Sequence, residues 1–235
     1  MNLRVLKLLI MLFLVIFLTA FSMFKNGERK IDLNTINYLD SNFNFVSVES
    51  VNKLLKQSDS ISLNLLKRDL NLKEIERIIN ENAFIDSAEV SLSLDGEIGV
   101  KIIEKEPVFR VLSDKYYIDS SGNKMPLSKI FSKVVPLIIS DVDSTYLKDL
   151  GLLGNYIKND IFFKDHISGL EIIENEIYFY VNGYSYQIKI KDLDEFETSF
   201  MNYKAFFKSV EKDSVLTQLS SINLNFKNQV IVQNK

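Results

Sequence analysis

An uncharged apolar run near the start of the chain, Leu8 to Phe24 (LLIMLFLVIFLTAFSMF), limits its folding more than any other feature. As a helix these seventeen residues rise about 26 Å. Val5 and Leu6 extend this to about 30 Å, with Lys7 snorkelling outward, which matches the hydrocarbon thickness of a bilayer. Twelve of the seventeen are Leu, Ile, Phe or Val, and together they favour insertion by roughly 4–7 kcal/mol. A cleaved signal peptide or a core helix are the other readings. The length, the Phe-rich outer end and the missing A-x-A step favour a membrane anchor. Arg4 and Lys7 precede the run while Lys25, Arg29 and Lys30 come after it. The charge asymmetry therefore gives only a slight preference for an N-terminus inside. The expected layout is a short cytoplasmic tail (1–7), an anchor (8–24), a linker (25–42), a first domain (43–107) and a second domain (108–235).

The remainder of the chain is ordinary globular sequence, and the whole is 46% hydrophobic and 25% charged. A net charge of −3 argues against nucleic acid as a partner, since phosphate binding needs a basic field. There is no cysteine. Thiolate metal sites, a cysteine nucleophile, disulfides and an acylated lipoprotein cysteine are thereby excluded.

Phe45 to Val51 alternates like a half-buried strand, and a short helix is expected between Asn52 and Lys67. Asn71 with Glu74 resembles a capping box for a helix with Leu72, Ile75, Ile78 and Ile79 on one face. Ala88, Val90, Leu92 and Leu94 alternate with polar residues, Asp95-Gly96 marks a turn, and Ile98, Val100 and Ile102 return. The order is strand, helix, helix, strand, strand. Beyond Pro107, strands are expected at Val108–Val111, Tyr116–Ile118, Val134–Ile139, Ile167–Ile173, Glu176–Val181, Tyr184–Ile190, Ser221–Phe226 and Gln229–Gln233. Asn182-Gly183 is a hairpin signal. A helix is expected over Ser144–Asn159. Another, over Asp192–Asp213, is long and amphipathic, with Phe196, Phe200, Tyr203 and Phe207 on its core side. The fold class is therefore α+β: an N-terminal transmembrane helix, a β-α-α-β-β domain and a β-rich second domain with a long amphipathic helix.

Residues that could carry chemistry are few. His166 beside Asp165 could act as a general base, but a surface or half-buried histidine before a strand is the preferred reading. Asp141-Val142-Asp143-Ser144 lacks the later Gly and Glu of a calcium loop and reads as a loop with a helix cap. Glu104-Lys105-Glu106 reads as a charged strand end. No Gly-rich phosphate loop, H-E-x-x-H or G-x-S-x-G is present. The expectation is a protein without catalysis, cofactor, metal or small-molecule substrate.

Five stretches, in order, resemble the FtsQ/DivIB family of cell-division proteins. They are Asn82 to Val90 (NAFIDSAEV), Val100 to Pro107 (VKIIEKEP), Tyr117 to Gly122 (YIDSSG), Val135 to Ile138 (VPLI) and Ile222 to Val230 (INLNFKNQV). Ile85 stands where the family usually has Trp. The resemblance implies a polypeptide-transport-associated (POTRA) first domain and a β-rich second domain in the periplasm, at the division septum of the inner membrane. It implies a non-enzymatic scaffold that binds FtsB- and FtsL-like coiled-coil division proteins. The family's partner edge, carried over, falls on Phe226, Asn228, Val230 and Val232. A POTRA-containing envelope transport or secretion component is the alternative.

Overall fold

The structure is a computed structural model. It describes residues 3–29, 31, 36–39, 42–57, 66–226 and 229–235. Asn228 and the stretch 58–65 therefore lie outside the described residues. The chain divides into two compact units, Met1–Glu104 and Lys105–Lys235.

In the first unit, α1 (Leu3–Gly27) contains the apolar run. It is long and apolar enough to cross a membrane, and none of its most apolar stretch is buried. The core-helix reading is therefore overturned. Next come β1 (Asn37–Tyr38), α2 (Val48–Gln57), α3 (Leu72–Asn80), β2 (Ile85–Leu92) and β3 (Ile98–Glu104). The sheet order is β1-β3-β2, with β1 parallel to β3 and β2 antiparallel to it. The β-α-α-β-β order is present, but its first strand lies within the stretch read as linker. Ile31 of that stretch is also buried in the core.

Phe45–Val51 is not a strand. Ser47 and Ser50 exchange side-chain-to-backbone hydrogen bonds at 3.1 Å in both directions and start α2. Val51 and Leu55, four apart on one helical face, are then buried. Tyr38 is tied to α2 by its hydroxyl, which donates to Asn52 Oδ1 at 2.8 Å. The N-cap half of the α3 capping box forms, with the Asn71 side chain accepting from the Glu74 N–H, while the Glu74 carboxylate accepts from Arg77. Leu94 is not in the hairpin strand. It sits in the connecting loop, 83% exposed, beyond the Leu92–Ile98 pair that ends the ladder.

The second unit holds β4 (Pro107–Val111), β5 (Tyr116–Asp119), β6 (Lys124–Pro126), β7 (Leu137–Ile138), α4 (Leu147–Asn159), α5 (Ile161–His166), β8 (Ile167–Ile173), β9 (Glu176–Val181), β10 (Gln187–Ile190), α6 (Phe196–Val210), α7 (Val215–Gln218), β11 (Leu219–Asn223) and β12 (Ile231–Asn234). One nine-stranded sheet orders them β12-β11-β10-β9-β8-β7-β4-β5-β6. β10 and β11 are parallel, so the chain needs a crossover, and α6 lies within that connection. The stripe Phe196, Phe200, Tyr203 and Phe207 is buried as its spacing required. In β9, Ile177, Phe179 and Val181 face the core, while Tyr178 and Tyr180 take the other face. There the tyrosine hydroxyls donate to Glu176 (2.9 Å) and Glu171 (2.7 Å).

The two glycines of α4 have a packing reason. A Cβ on Gly151 would stand 2.5 Å from the Gly122 nitrogen, and one on Gly154 would stand 2.5 Å from Val108 Cγ2. The Asp119–Gly122 turn thus lies directly on α4. Gly122 itself has φ +83° and no room for a side chain, since a Cβ would come within 2.6 Å of the Leu147 carbonyl. The turn is held from within by Asp119, which is 2% exposed. Its carboxylate accepts from the Ser121 and Asn123 N–H groups at 2.9 and 2.8 Å.

Five sequence expectations are shortened or shifted. The apolar stretch 134–139 forms only the two-residue β7, Tyr184–Tyr186 precede β10 in a loop, and the helix over 192–213 is confined to Phe196–Val210. The strand expected over Ser221–Phe226 is β11, Leu219–Asn223, and the one expected over Gln229–Gln233 is β12, Ile231–Asn234. β6, α5 and α7 had no sequence reading.

Candidate partner edge

A sheet that does not close has two edges, and each exposes unpaired backbone groups to any strand that can approach. β6 reads Lys-Met-Pro. Met125 is fully buried while Lys124 and Pro126 are exposed. Pro126 has no N–H to offer, and the Lys124 ammonium lies 4.6 Å from the centre of the Tyr116 ring.

β12 is different. It pairs antiparallel with β11 through Asn223–Ile231, Ile222–Val232 and Ser221–Gln233. Its residues Ile-Val-Gln-Asn contain no charge and no proline, and all four are exposed. Ile231 and Val232 are 44% and 40% exposed, and Phe226, before the strand, is 50% exposed. The strand is fixed at its far end, where the Lys235 N–H donates to the Gln218 carbonyl at 3.0 Å. The Ser220 hydroxyl adds bonds to the Gln233 and Asn234 carbonyls at 3.0 and 3.1 Å. β12 is therefore an ordered, uncharged strand paired on one side.

The structure places three of the four residues named from the sequence. Val232 is on β12. Phe226 lies in the connection, where the Gln229 N–H donates to its carbonyl at 3.2 Å. Val230 precedes β12 and packs against the core. Asn228 lies outside the described residues. The family resemblance carried all four over as one partner edge, and of the three that are described only Val232 stands on the edge strand. Ile231 was missed. Its signal was the aliphatic pair Ile231-Val232, where both faces of a strand carry apolar side chains although a core takes only one.

The other candidates resolve into structural roles. His166 ends α5 and is buried, at 8% exposure. It stacks on Phe162, with ring centres 4.4 Å apart, and its Nε2 hydrogen-bonds the Tyr203 hydroxyl. That hydroxyl in turn meets the Tyr186 hydroxyl at 2.7 Å. Burial pushes the His166 pKa down to about 4 and that of Tyr186 up to about 12. The ring is therefore neutral at neutral pH, and it lies among aromatic side chains. The reading as a surface or half-buried histidine is corrected to a core histidine within a polar triad. Asp143 caps the turn before α4, its carboxylate accepting from the Thr145 N–H at 2.8 Å. Among the described residues no cluster of His, Asp and Glu could hold a metal ion.

Glu104 does more than charge a strand end. Its carboxylate accepts from three successive N–H groups, Asn44 at 2.9 Å, Phe45 at 2.7 Å and Val46 at 2.9 Å. It thereby fastens the segment entering α2 to the end of β3.

None of the curated proteins matches the chain. Among solved structures it is similar to the major extracytoplasmic domain of the trans isomer of the bacterial cell division protein DivIB from Geobacillus stearothermophilus. The identity is 11% and the TM-score 0.35, with 47% of this chain and 98% of that one covered. Residues 106–233 match the family model described as FtsQ/DivIB, C-terminal related. That is more than half of the sequence and includes the whole nine-stranded sheet apart from the final residue of β12, so the chain belongs to the FtsQ/DivIB family.

Proposed function

We propose that this chain is a single-pass division scaffold that recruits other division proteins by strand addition along β12. One observation carries the reading: the outermost strand of a nine-stranded sheet is ordered and uncharged, with the apolar Ile231 and Val232 exposed. Membership of the FtsQ/DivIB family supplies the process, cell division. An extended partner segment laid beside β12 gains backbone hydrogen bonds from the open edge and selectivity from side chains beside Phe226, Ile231 and Val232. The partners in this reading are FtsB- and FtsL-like coiled-coil proteins, whose membrane-proximal segments share the surface on which α1 anchors this chain. The short tail is cytoplasmic, both folded units lie outside the inner membrane at the septum, and the first unit is a POTRA module. The protein performs no catalysis.

Two measurements test this. A fluorescent fusion of the full chain collects at midcell under this reading, and an even envelope distribution would favour a transport role for the POTRA-like module instead. In detergent micelles, Ile231→Lys combined with Val232→Lys weakens binding of a coiled-coil partner's membrane-proximal segment about 100-fold. Unchanged affinity with an intact circular dichroism spectrum sinks the edge assignment.

A further inference from the structure

A second surface lies within the same unit, at the middle of the sheet rather than at its edge. A groove of about 770 Å³ runs between the 132–137 segment and the ends of α4 and α5. Its apolar floor includes Val108, Ile157 and Ile167, with Gly154 beside them. Four cations line it: Arg110, Lys133, Lys158 and Lys164. Two acids are also present, Glu106 and Asp165. Lys158 is already paired with Glu106. Arg110, Lys133 and Lys164 form no ion pair with any carboxylate of the described residues. In a chain of net charge −3, this leaves three cations and one carboxylate of the groove without an ion pair among the described residues.

Arg110 is the most informative of these. Its guanidinium lies 5.9 Å from the centre of the Tyr117 ring. That ring is itself held by its hydroxyl, 3.1 Å from Ser132 Oγ and 3.3 Å from the Lys133 carbonyl. The backbone of Arg110 donates to the Pro136 carbonyl at 3.0 Å, which fixes the groove wall against β4. Yet the Arg110 Nε is buried and has no hydrogen-bond partner among the described residues. A buried donor without an acceptor is unfavourable by about 1–3 kcal/mol, and a guanidinium offers carboxylate a planar, two-point contact. At the rim, Val134 is 96% exposed, an apolar side chain with nothing over it.

We propose that this groove docks an acidic, partly apolar peptide segment of another protein, with one carboxylate seated on Arg110 and flanking acids facing Lys133 and Lys164. The charge of the walls selects an acidic segment. The apolar floor and the exposed Val134 favour a peptide over a lipid headgroup. The site is separate from β12, its strands β8, β7 and β4 lying four to six positions away in the sheet order, and stands or falls independently of it.

The test is fluorescence anisotropy on the full-length protein in detergent micelles, with a fluorescein-labelled alternating Glu–Leu peptide as probe and the Lys–Leu peptide as control. The Glu–Leu peptide binds and the Lys–Leu peptide does not. Arg110→Gln and Lys164→Glu each weaken binding about tenfold, and Val232→Pro leaves it unchanged. If Arg110→Gln fails to fold, the exposed variants Lys133→Glu and Lys164→Glu decide alone. Equal binding of both peptides, or no effect of the charge variants, overturns the proposal. So does binding only to phosphatidylglycerol vesicles, which would assign the cations to a membrane surface.

Discussion

The two edges of the nine-stranded sheet end in opposite ways. β6 ends it with Lys124 and Pro126 around a buried methionine, and the preceding turn lies flat on α4 through Gly122 and Gly151. β12 ends it with Ile231 and Val232 in the open. Sheets commonly blunt their edges with charge or proline, because an apolar edge invites strand pairing. One edge of this sheet is blunted and the other is not. The open edge is the feature on which the proposed partner binding rests.

The closed side can be broken first, and this is the largest effect expected. Gly122→Val puts a branched side chain at φ +83°, within 2.6 Å of the Leu147 carbonyl. We expect about 4 kcal/mol of destabilisation, read as a fall in Tm of roughly 10–20 °C and loss of protection at β5 and β6 in hydrogen exchange. A shift under about 2 °C would mean that the turn does not rest on α4.

The next effect is pH-dependent and belongs to the half of the sheet that carries β12. His166 titrates at about 4 in the folded chain, depressed by burial, and near 6.5 unfolded. Between those values the unfolded chain binds the extra proton, so the stabilising contribution of the neutral ring is complete above about pH 6.5 and is lost as pH falls toward about 4. The loss is of the order of 3 kcal/mol. His166→Gln, compared with the parent between about pH 4 and 6.5, should flatten the slope of stability by that amount. Parallel profiles would place the imidazole in contact with water.

The smallest effect sharpens the comparison at β6. Lys124→Val removes the ammonium over the Tyr116 ring and should destabilise by less than about 1 kcal/mol. It should not create a second docking edge, because Pro126 still denies the backbone donor. A gain of partner binding at β6 would show that charge alone closes that edge.

Much of the fold was legible in the sequence, where local chemistry decides. The alternation in Glu176–Val181, the stripe Phe196, Phe200, Tyr203 and Phe207, the Asn71 cap and the Asn182-Gly183 turn each act within a few residues, and each formed. Phe45–Val51 misled because its alternation coincides with a helical stripe through Val51 and Leu55, and the Ser47–Ser50 cap decided between them. β1 is two residues long and exists only because β3 pairs with it. The edge was legible only in outline. The closing strands could be read, but which strand is outermost depends on β11 joining β10 in parallel, which sequence spacing does not encode. Asp119, Gly122 and Gly151 likewise belong to a contact between distant segments.

Backbone pairing at β12 is the central claim, and hydrogen exchange at Ile231–Asn234 tests it most directly. In the free full-length protein the outward-facing amides of this strand should exchange rapidly. Adding the membrane-proximal segment of a coiled-coil division partner should slow them at least about tenfold, and Val232→Pro should abolish both the protection and the binding. Binding that leaves the β12 amides unprotected, or that survives Val232→Pro, would contradict the account.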